Sequence, residues 1–323
     1  MVKLSRSNIV QFFVLGFFCV TGASAQIEEA PIPNSMAALG DSMTAGALAG
    51  FSRQNANLPW LQSMLVIKGL MFGITGKTRY FERRDLSWAT GSNPGTVTKS
   101  HARRIASLPR AEKLKVYNAA VSGTSIEDVL LDQVPDMFEW SFKKLNKPAP
   151  DYVTVLIGAN DACAKRASEM TTVSSYHLKM ESIVHQVLVR SPTSRILLAN
   201  LPNIEKLRTV AKDAKLIGWG PLKKCKDLWK LTKMCPTLTL IDDPTEREIV
   251  SQRIKDYNQV MVDVANRARE EYGDRIRVSN KIYNTAFTAD HLAVDCFHPN
   301  ATGQDLMSRV TWDDAWWAGL HAN

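Results

Sequence analysis

Five short apolar runs stand out along the chain, each followed by a turn and then by helical spacing. They are Met36 to Leu39, Lys115 to Val121, Asp151 to Ile157, Arg195 to Asn200 and the weaker Arg275 to Val278. "DYVTVLI" is continuously apolar in character rather than alternating, as in a strand covered on both faces. Between the runs, Ile126 to Leu145 and Tyr176 to Arg190 carry apolar residues at helical intervals. Met180, Ile183, Val184, Val187 and Leu188 form one stripe. Glu246 to Tyr272 reads as a long charged helix with Ile249, Ile254, Tyr257 and Met261 facing inward. Strands alternating with helices predict an α/β chain, a three-layer α/β/α sandwich around a mainly parallel sheet. Two segments break the alternation. Phe51 to Arg110, with Trp60 and Trp88, reads as an elaboration over one end of the sheet, and Lys206 to Pro236 as a second insertion.

The first residues follow a different pattern. Lys3 and Arg6 precede an apolar run from Ile9 to Val20, and Ala23-Ser24-Ala25 supplies small residues at cleavage positions. This is the layout of a signal peptide over residues 1–25, cleaved after Ala25, so residues 26–323 are expected as one secreted or periplasmic domain. A lipoprotein reading through Cys19 conflicts with Phe17 and Phe18 before it. No later segment approaches the roughly 20 apolar residues of a membrane span.

Composition is globular, with 45% hydrophobic and 22% charged residues. Lys3 and Arg6 account for two of the net +8, leaving +6 on the mature chain. No arginine-rich tract or zinc-finger spacing accompanies that charge, so a nucleic-acid partner is not expected. Removing Cys19 leaves Cys163, Cys225, Cys235 and Cys296, an even number that favours disulfides in an exported chain. Spacing does not separate the three pairings. Cys225 and Cys235 are near neighbours and would close a small loop, leaving Cys163 to Cys296. Without a C-x-x-C pair, zinc is not expected.

In open α/β sheets, ligands bind beyond the carboxyl ends of the strands. Gly40-Asp41-Ser42, Ser122-Gly123 and Gly158-Ala159-Asn160-Asp161 all fall there. A serine needs a base, and the base an orienting partner. "DHLAVDCFHPN" offers both, because Asp295 and His298 are three residues apart and one turn brings them to the same side. An ester oxyanion needs preorganised donors, which the backbone amides of Ser42 and Gly123 and the side-chain amide of Asn160 could supply. Asp41 and Asp161 read as loop braces.

Taken in order, "GDSMTAG", "NAAVSG", "IGAND" and "DCFHPN" resemble the sequence blocks of the SGNH, or GDSL-type, serine hydrolases, over Leu39 to Asn300. The resemblance implies the flavodoxin-like SGNH hydrolase fold, no metal or other cofactor, and ester hydrolysis through an acyl-enzyme. Position by position, it implies Ser42 as nucleophile, His298 as base and Asp295 as the third triad member. Ser42, Gly123 and Asn160 would form the oxyanion hole. "IGANDAC" and "DCFHPN" are similar to the phospholipase B-like branch, and "DLSWATG" is similar in part. That implies a lipid-like ester, a phospholipid or lysophospholipid, with peripheral contact with membrane lipid. If Asn160 and His298 share one pocket, a Cys163–Cys296 disulfide would join their loops.

Competing readings exist for each residue. Ser42 alone could cap a helix, Asn160 shape a turn, and His298 be structural. The ordered set favours the catalytic reading. Asp290, His291, Asp295 and His298 could instead hold a metal. "GITGKT" has Met71 where a phosphate-binding loop needs glycine. Asn300-Ala301-Thr302 is a glycosylation sequon, but Asn300 suits a helix cap better. Trp312, Trp316 and Trp317 suit core packing better than membrane anchoring. The other functions weighed are a carbohydrate acetyl esterase and a non-catalytic secreted protein binding lipid or glycan.

Overall fold

Five strands carry the fold: β1 (Ser35–Gly40), β2 (Lys115–Asn118), β3 (Tyr152–Leu156), β4 (Arg195–Ala199) and β5 (Ile276–Ser279). All pair in parallel, in the order β2-β1-β3-β4-β5. The computed structural model describes residues 30–52, 81–216 and 222–320. The segment read as a signal peptide, Trp60 and "GITGKT" lie outside the described residues. Pro31–Asn323 forms one compact unit.

Every residue of β1 and β3 is buried, which explains why their sequences lack alternation. The order reverses between β1 and β3, the point at which a doubly wound sheet opens a crevice at its carboxyl edge. The architecture is the flavodoxin-like SGNH hydrolase fold expected from the sequence. β2 stops at Asn118, three residues before the apolar run ends. The Asn118 side chain accepts from Ala120 N (3.0 Å) and donates to Thr44 O (3.0 Å) and Thr90 Oγ1 (2.7 Å). Beyond that local turn the chain still touches β1, Ala119 N donating to Ala38 O at 2.9 Å and Val121 N to Gly40 O at 3.3 Å.

The helices relevant to the site are α1 (Ser42–Ala45), α2 (His101–Ala106), α3 (Val134–Leu145), α4 (Ala159–Ala162), α5 (Val173–Arg190) and α6 (Ile204–Ala211). They continue with α7 (Cys225–Thr232), α8 (Pro236–Thr239), α9 (Pro244–Tyr272), α10 (Lys281–Asn284) and α11 (Ala301–Trp312). The helical path expected from Ile126 to Leu145 is interrupted by a π-helical turn at Val129–Gln133. Pro135 follows at the start of α3; having no N–H to give to the preceding turn, it fits where the pattern widens.

The α5 stripe is buried as expected. On α9 the inward line is Val250, Ile254, Tyr257, Met261, Val264 and Ala268, whereas Ile249 is 48% exposed. Immediately before Val250, Ile249 sits about 100° around the helix from that line, so the expectation that it faces inward fails.

On another side of the sheet, α2 and α11 meet at a buried histidine. His101 Nδ1 bonds to Tyr152 Oη (2.8 Å) and Nε2 to Thr311 Oγ1 (2.9 Å). Burial pushes its pKa down to about 3, so the ring is neutral. Trp88 and Trp312 pack edge-on against it, and Trp317 packs on Tyr152. Trp88, Trp312 and Trp317 are core residues. Asn300 caps α11 by accepting from Gly303 N (3.0 Å), donates to Asp290 O and Leu292 O, and is buried, leaving no room for a glycan.

The disulfides are Cys163–Cys235 and Cys225–Cys296, which overturns the expected Cys163–Cys296 and Cys225–Cys235 pairs. Cys225 begins α7, a helix about 12 Å long, and Cys235 lies beyond its far end. Bridged Cα atoms must lie within about 7 Å, so those two cysteines cannot meet. Each instead reaches a different loop. A non-reducing peptide map should give linked peptides containing Cys163 with Cys235 and Cys225 with Cys296. Recovery of a Cys225–Cys235 peptide from folded protein would contradict this.

Candidate active site

β1 delivers Ser42 through a sharp turn. Gly40 has φ 153°, and a Cβ there would lie 2.4 Å from Leu156 O and 2.6 Å from Thr44 Oγ1. Only glycine allows β1 to bend this close to β3. Asp41 then caps α1, its Oδ1 accepting from Met43 N at 2.9 Å. Ser42 is therefore the first residue of a helix, 9% exposed at the floor of a cleft.

His298 Nε2 lies 2.8 Å from Ser42 Oγ, and its Nδ1 lies 2.5 Å from Asp295 Oδ2. The other Asp295 oxygen accepts from the backbone amides of Phe297 and His298, both at 3.0 Å. One fully buried carboxylate thus shapes its own turn and orients the ring that follows. Trp229 Nε1 donates to Asp295 O at 3.1 Å, and the Cys225–Cys296 bridge ties the same loop to α7.

Gly123 and Asn160 complete the ring of positions picked out from the sequence. Gly123 has φ 82°, the left-handed region that suits glycine. Its amide donates to no acceptor among the described residues. Asn160 Nδ2 donates one proton to Thr124 O at 2.8 Å, which turns the amide and leaves its second proton for the cleft. Asp161 lies behind: Oδ2 accepts from Ile126 N and Oδ1 from Thr171 Oγ1, while burial raises its pKa to about 6. Asp41 and Asp161 brace loops, as expected.

The cleft holds about 270 Å³. Met43, Leu48, Phe81, Ile204, Leu207 and Met234 line it, along with Ser42, Gly123, Asn160 and His298. Lys233 also lines it, and no carboxylate does among the described residues. Lys233 and Trp229 were not picked out individually from the sequence, although both fall in the insertion Lys206 to Pro236, which is expected to wall the pocket. A signal existed, since Cys225, Leu228, Trp229 and Thr232 follow helical spacing and are all buried. The alternative metal cluster does not assemble. His291 Nδ1 is taken by Thr288 N at 3.0 Å, and no group of three His, Cys, Asp or Glu among the described residues could hold a metal ion.

Such an arrangement can deprotonate a hydroxyl and stabilise a negative oxygen beside it. Burial works against a charged His298, but the Asp295 charge, its hydrogen bond and the Asp41 charge outweigh it. The His298 pKa therefore lies above the ordinary histidine value.

Residues 87–306 match the GDSL-like Lipase/Acylhydrolase family, and the chain belongs to it. The match takes in Gly123, Asn160, Asp295 and His298 and begins after Ser42. Among solved structures, the chain is similar to an extracellular lipase from Streptomyces rimosus (15% identity, TM-score 0.45, covering 87% of this chain and 100% of that one). It is also similar to phospholipase A1 from Streptomyces albidoflavus (15%, 0.46, 88% and 100%). A third is an acetylxylan esterase from Geobacillus stearothermophilus (14%, 0.40, 90% and 95%). The family assignment rests on the sequence match. A comparison with curated proteins gives no match.

The Asp41 charge gives a test of the electrostatics. Asp41 is buried and its pKa is raised to about 7 by that burial, so near neutral pH it is partly charged beside His298. Asp41→Asn keeps an oxygen for Met43 N but removes the charge that helps hold the His298 proton. Followed by NMR, the His298 imidazole should titrate above the ordinary range in the native protein and at lower pH in Asp41→Asn. An unchanged or higher value in the variant would contradict the assignment of causes.

Proposed function

We propose that the protein is an exported serine ester hydrolase of the phospholipase B-like type, cleaving lipid-like acyl esters through an acyl-enzyme. The observation that carries this is the hydrogen-bonded chain Asp295–His298–Ser42 on the floor of an apolar cleft. His298 Nε2 takes the Ser42 proton as Oγ bonds to the carbonyl carbon. The carbonyl oxygen gains the negative charge, held by the Ser42 and Gly123 amides and the Asn160 side chain. As the carbon–alkoxide bond breaks, the imidazolium returns its proton to the leaving alcohol. Water then attacks the acyl-enzyme with His298 again accepting the proton, and Ser42 recovers a hydrogen as the acid leaves. Asp295 stabilises the imidazolium in both halves.

The wall of Met43, Leu48, Phe81, Ile204, Leu207 and Met234 favours an acyl chain, since each buried methylene contributes about 0.8 kcal/mol. Lys233, exposed at the same cleft with no carboxylate lining it among the described residues, favours an ester that carries an anionic group such as a phosphodiester. Phospholipids and lysophospholipids meet both conditions, with peripheral contact at the membrane surface. Export is supported by the N-terminal pattern and by the two disulfides. No helix among the described residues is long and apolar enough to cross a membrane.

The reading is tested with purified native protein, Ser42→Ala and Asn160→Ala on short acyl esters, long acyl esters, phospholipid and acetylated glycan. Native protein should hydrolyse long acyl esters or phospholipid, and Ser42→Ala should be inactive. Asn160→Ala should lose about 10²–10³ in kcat, the usual cost of one oxyanion donor. Full activity in Ser42→Ala rejects the nucleophile. Activity confined to acetylated glycan rejects the lipid preference, and binding without turnover rejects the enzyme.

A further inference from the structure

Between the Ser42 turn and the Gly123 loop lies Phe81 to Arg84, part of the elaboration expected from Phe51 to Arg110. Phe81 to Arg83 pairs with the chain just after α1: Leu48 N donates to Phe81 O at 3.0 Å and Arg83 N to Gly46 O at 3.1 Å, around an antiparallel Ala47–Glu82 bridge. The same segment reaches across to the other loop with its side chains. Glu82 Oε1 accepts from Ser122 N at 2.8 Å. Arg84 Nη2 donates to Ala120 O at 2.6 Å and forms an ion pair with Glu82 Oε2 at 2.9 Å. The Glu82 side chain is only 3% exposed.

A carboxylate buried this deeply costs free energy unless it is paired, so the geometry that pairs it is favoured strongly. Arg84 provides the charge, and the Ser122 amide provides the hydrogen bond. Ser122 is the residue immediately before Gly123, whose amide has no acceptor among the described residues. The far side of that loop is held separately, Thr124 Oγ1 donating to Val121 O at 2.8 Å and to Gly40 O at 3.1 Å and accepting from Gln133 Nε2 at 3.2 Å. Without Glu82, nothing among the described residues holds the Ser122 amide.

We propose that Glu82, held by Arg84, is a positioning residue that fixes the Val121–Ser122 peptide and thereby aims the next amide, that of Gly123, so that the Gly123 and Ser42 amides face one oxygen. The proposal rests on the oxyanion role given to Gly123 above. Registration is the point: Val121 and Thr124 bond directly to Gly40, and the Phe81 to Arg84 segment adds a grip on both loops at Ser122, the residue that leads into the Gly123 amide. Loss of that grip should weaken binding of the tetrahedral oxyanion while leaving the ground-state ester almost unaffected.

The test is steady-state kinetics on an acyl ester, with the affinity of an alkylboronic acid, which forms a tetrahedral anion on serine, as a second readout. Ser42→Ala is the control. Glu82→Ala should lower kcat by about 10–100-fold with KM within about twofold, and boronate affinity should fall in parallel. Glu82→Gln, which keeps an oxygen for the Ser122 amide, should recover most of the loss. Should Glu82→Ala fail to fold, Arg84→Met is read in its place, with a fall in kcat and boronate affinity expected at little change in KM. A kcat within twofold of native in the folded variant, a loss carried by KM alone, or Glu82→Gln as impaired as Glu82→Ala would overturn the proposal. Activity retained in Ser42→Ala would instead overturn the serine mechanism itself.

Discussion

The hydrogen bond between Ser42 and His298 joins residues 256 positions apart, and much of the fold can be understood as what holds those two atoms at 2.8 Å. Ser42 is placed by β1, whose burial on both faces leaves it little freedom to shift. His298 is placed by a short loop instead, and loops need external restraint. Restraint comes from several directions: Ala293 N donates to His298 O, Val294 N to Phe51 O, and Asn300 caps α11 directly after the loop. Asp295 adds an internal brace by gathering two amides and the imidazole around one carboxylate.

The insertion around α7 adds a covalent layer to this. Cys225 bridges to the His298 loop and Cys235 to the Asn160 loop, so the two loops are joined through the helix rather than directly. Each bridge spans just over 70 residues of sequence, for which chain-entropy arguments give roughly 4 kcal/mol of stabilisation. The same insertion contributes Lys233 and Met234 to the cleft and Trp229 to the back of Asp295. The cleft wall at Lys233 and Met234 and the support behind Asp295 come from one insertion, which couples any change in it to the position of the His298 imidazole.

How far the sequence reached follows from what each feature depends on. β1 and β3 were readable because burial on both faces writes an uninterrupted apolar run, and α5 because one face meets the core. Ser42, Gly123, Asn160, Asp295 and His298 were readable as positions because strand ends and turns carry local signals, and the structure brings four of them to one cleft with Asp295 buried behind His298. Ile249 was misplaced because a single apolar residue near a stripe looks like part of it. The disulfides were misread because proximity in sequence was allowed to outweigh the length of an intervening helix. Glu82 and Arg84 left no signal, since their roles arise from a loop-to-loop contact that only the folded chain creates.

Reaction with a fluorophosphonate tests the central claim most directly, because such a reagent bonds to a serine oxygen only when a base activates it. The account predicts a single adduct on the peptide containing Ser42, formed rapidly in the native protein and lost in His298→Ala. An adduct on another serine, or labelling of Ser42 at an undiminished rate without His298, would contradict it.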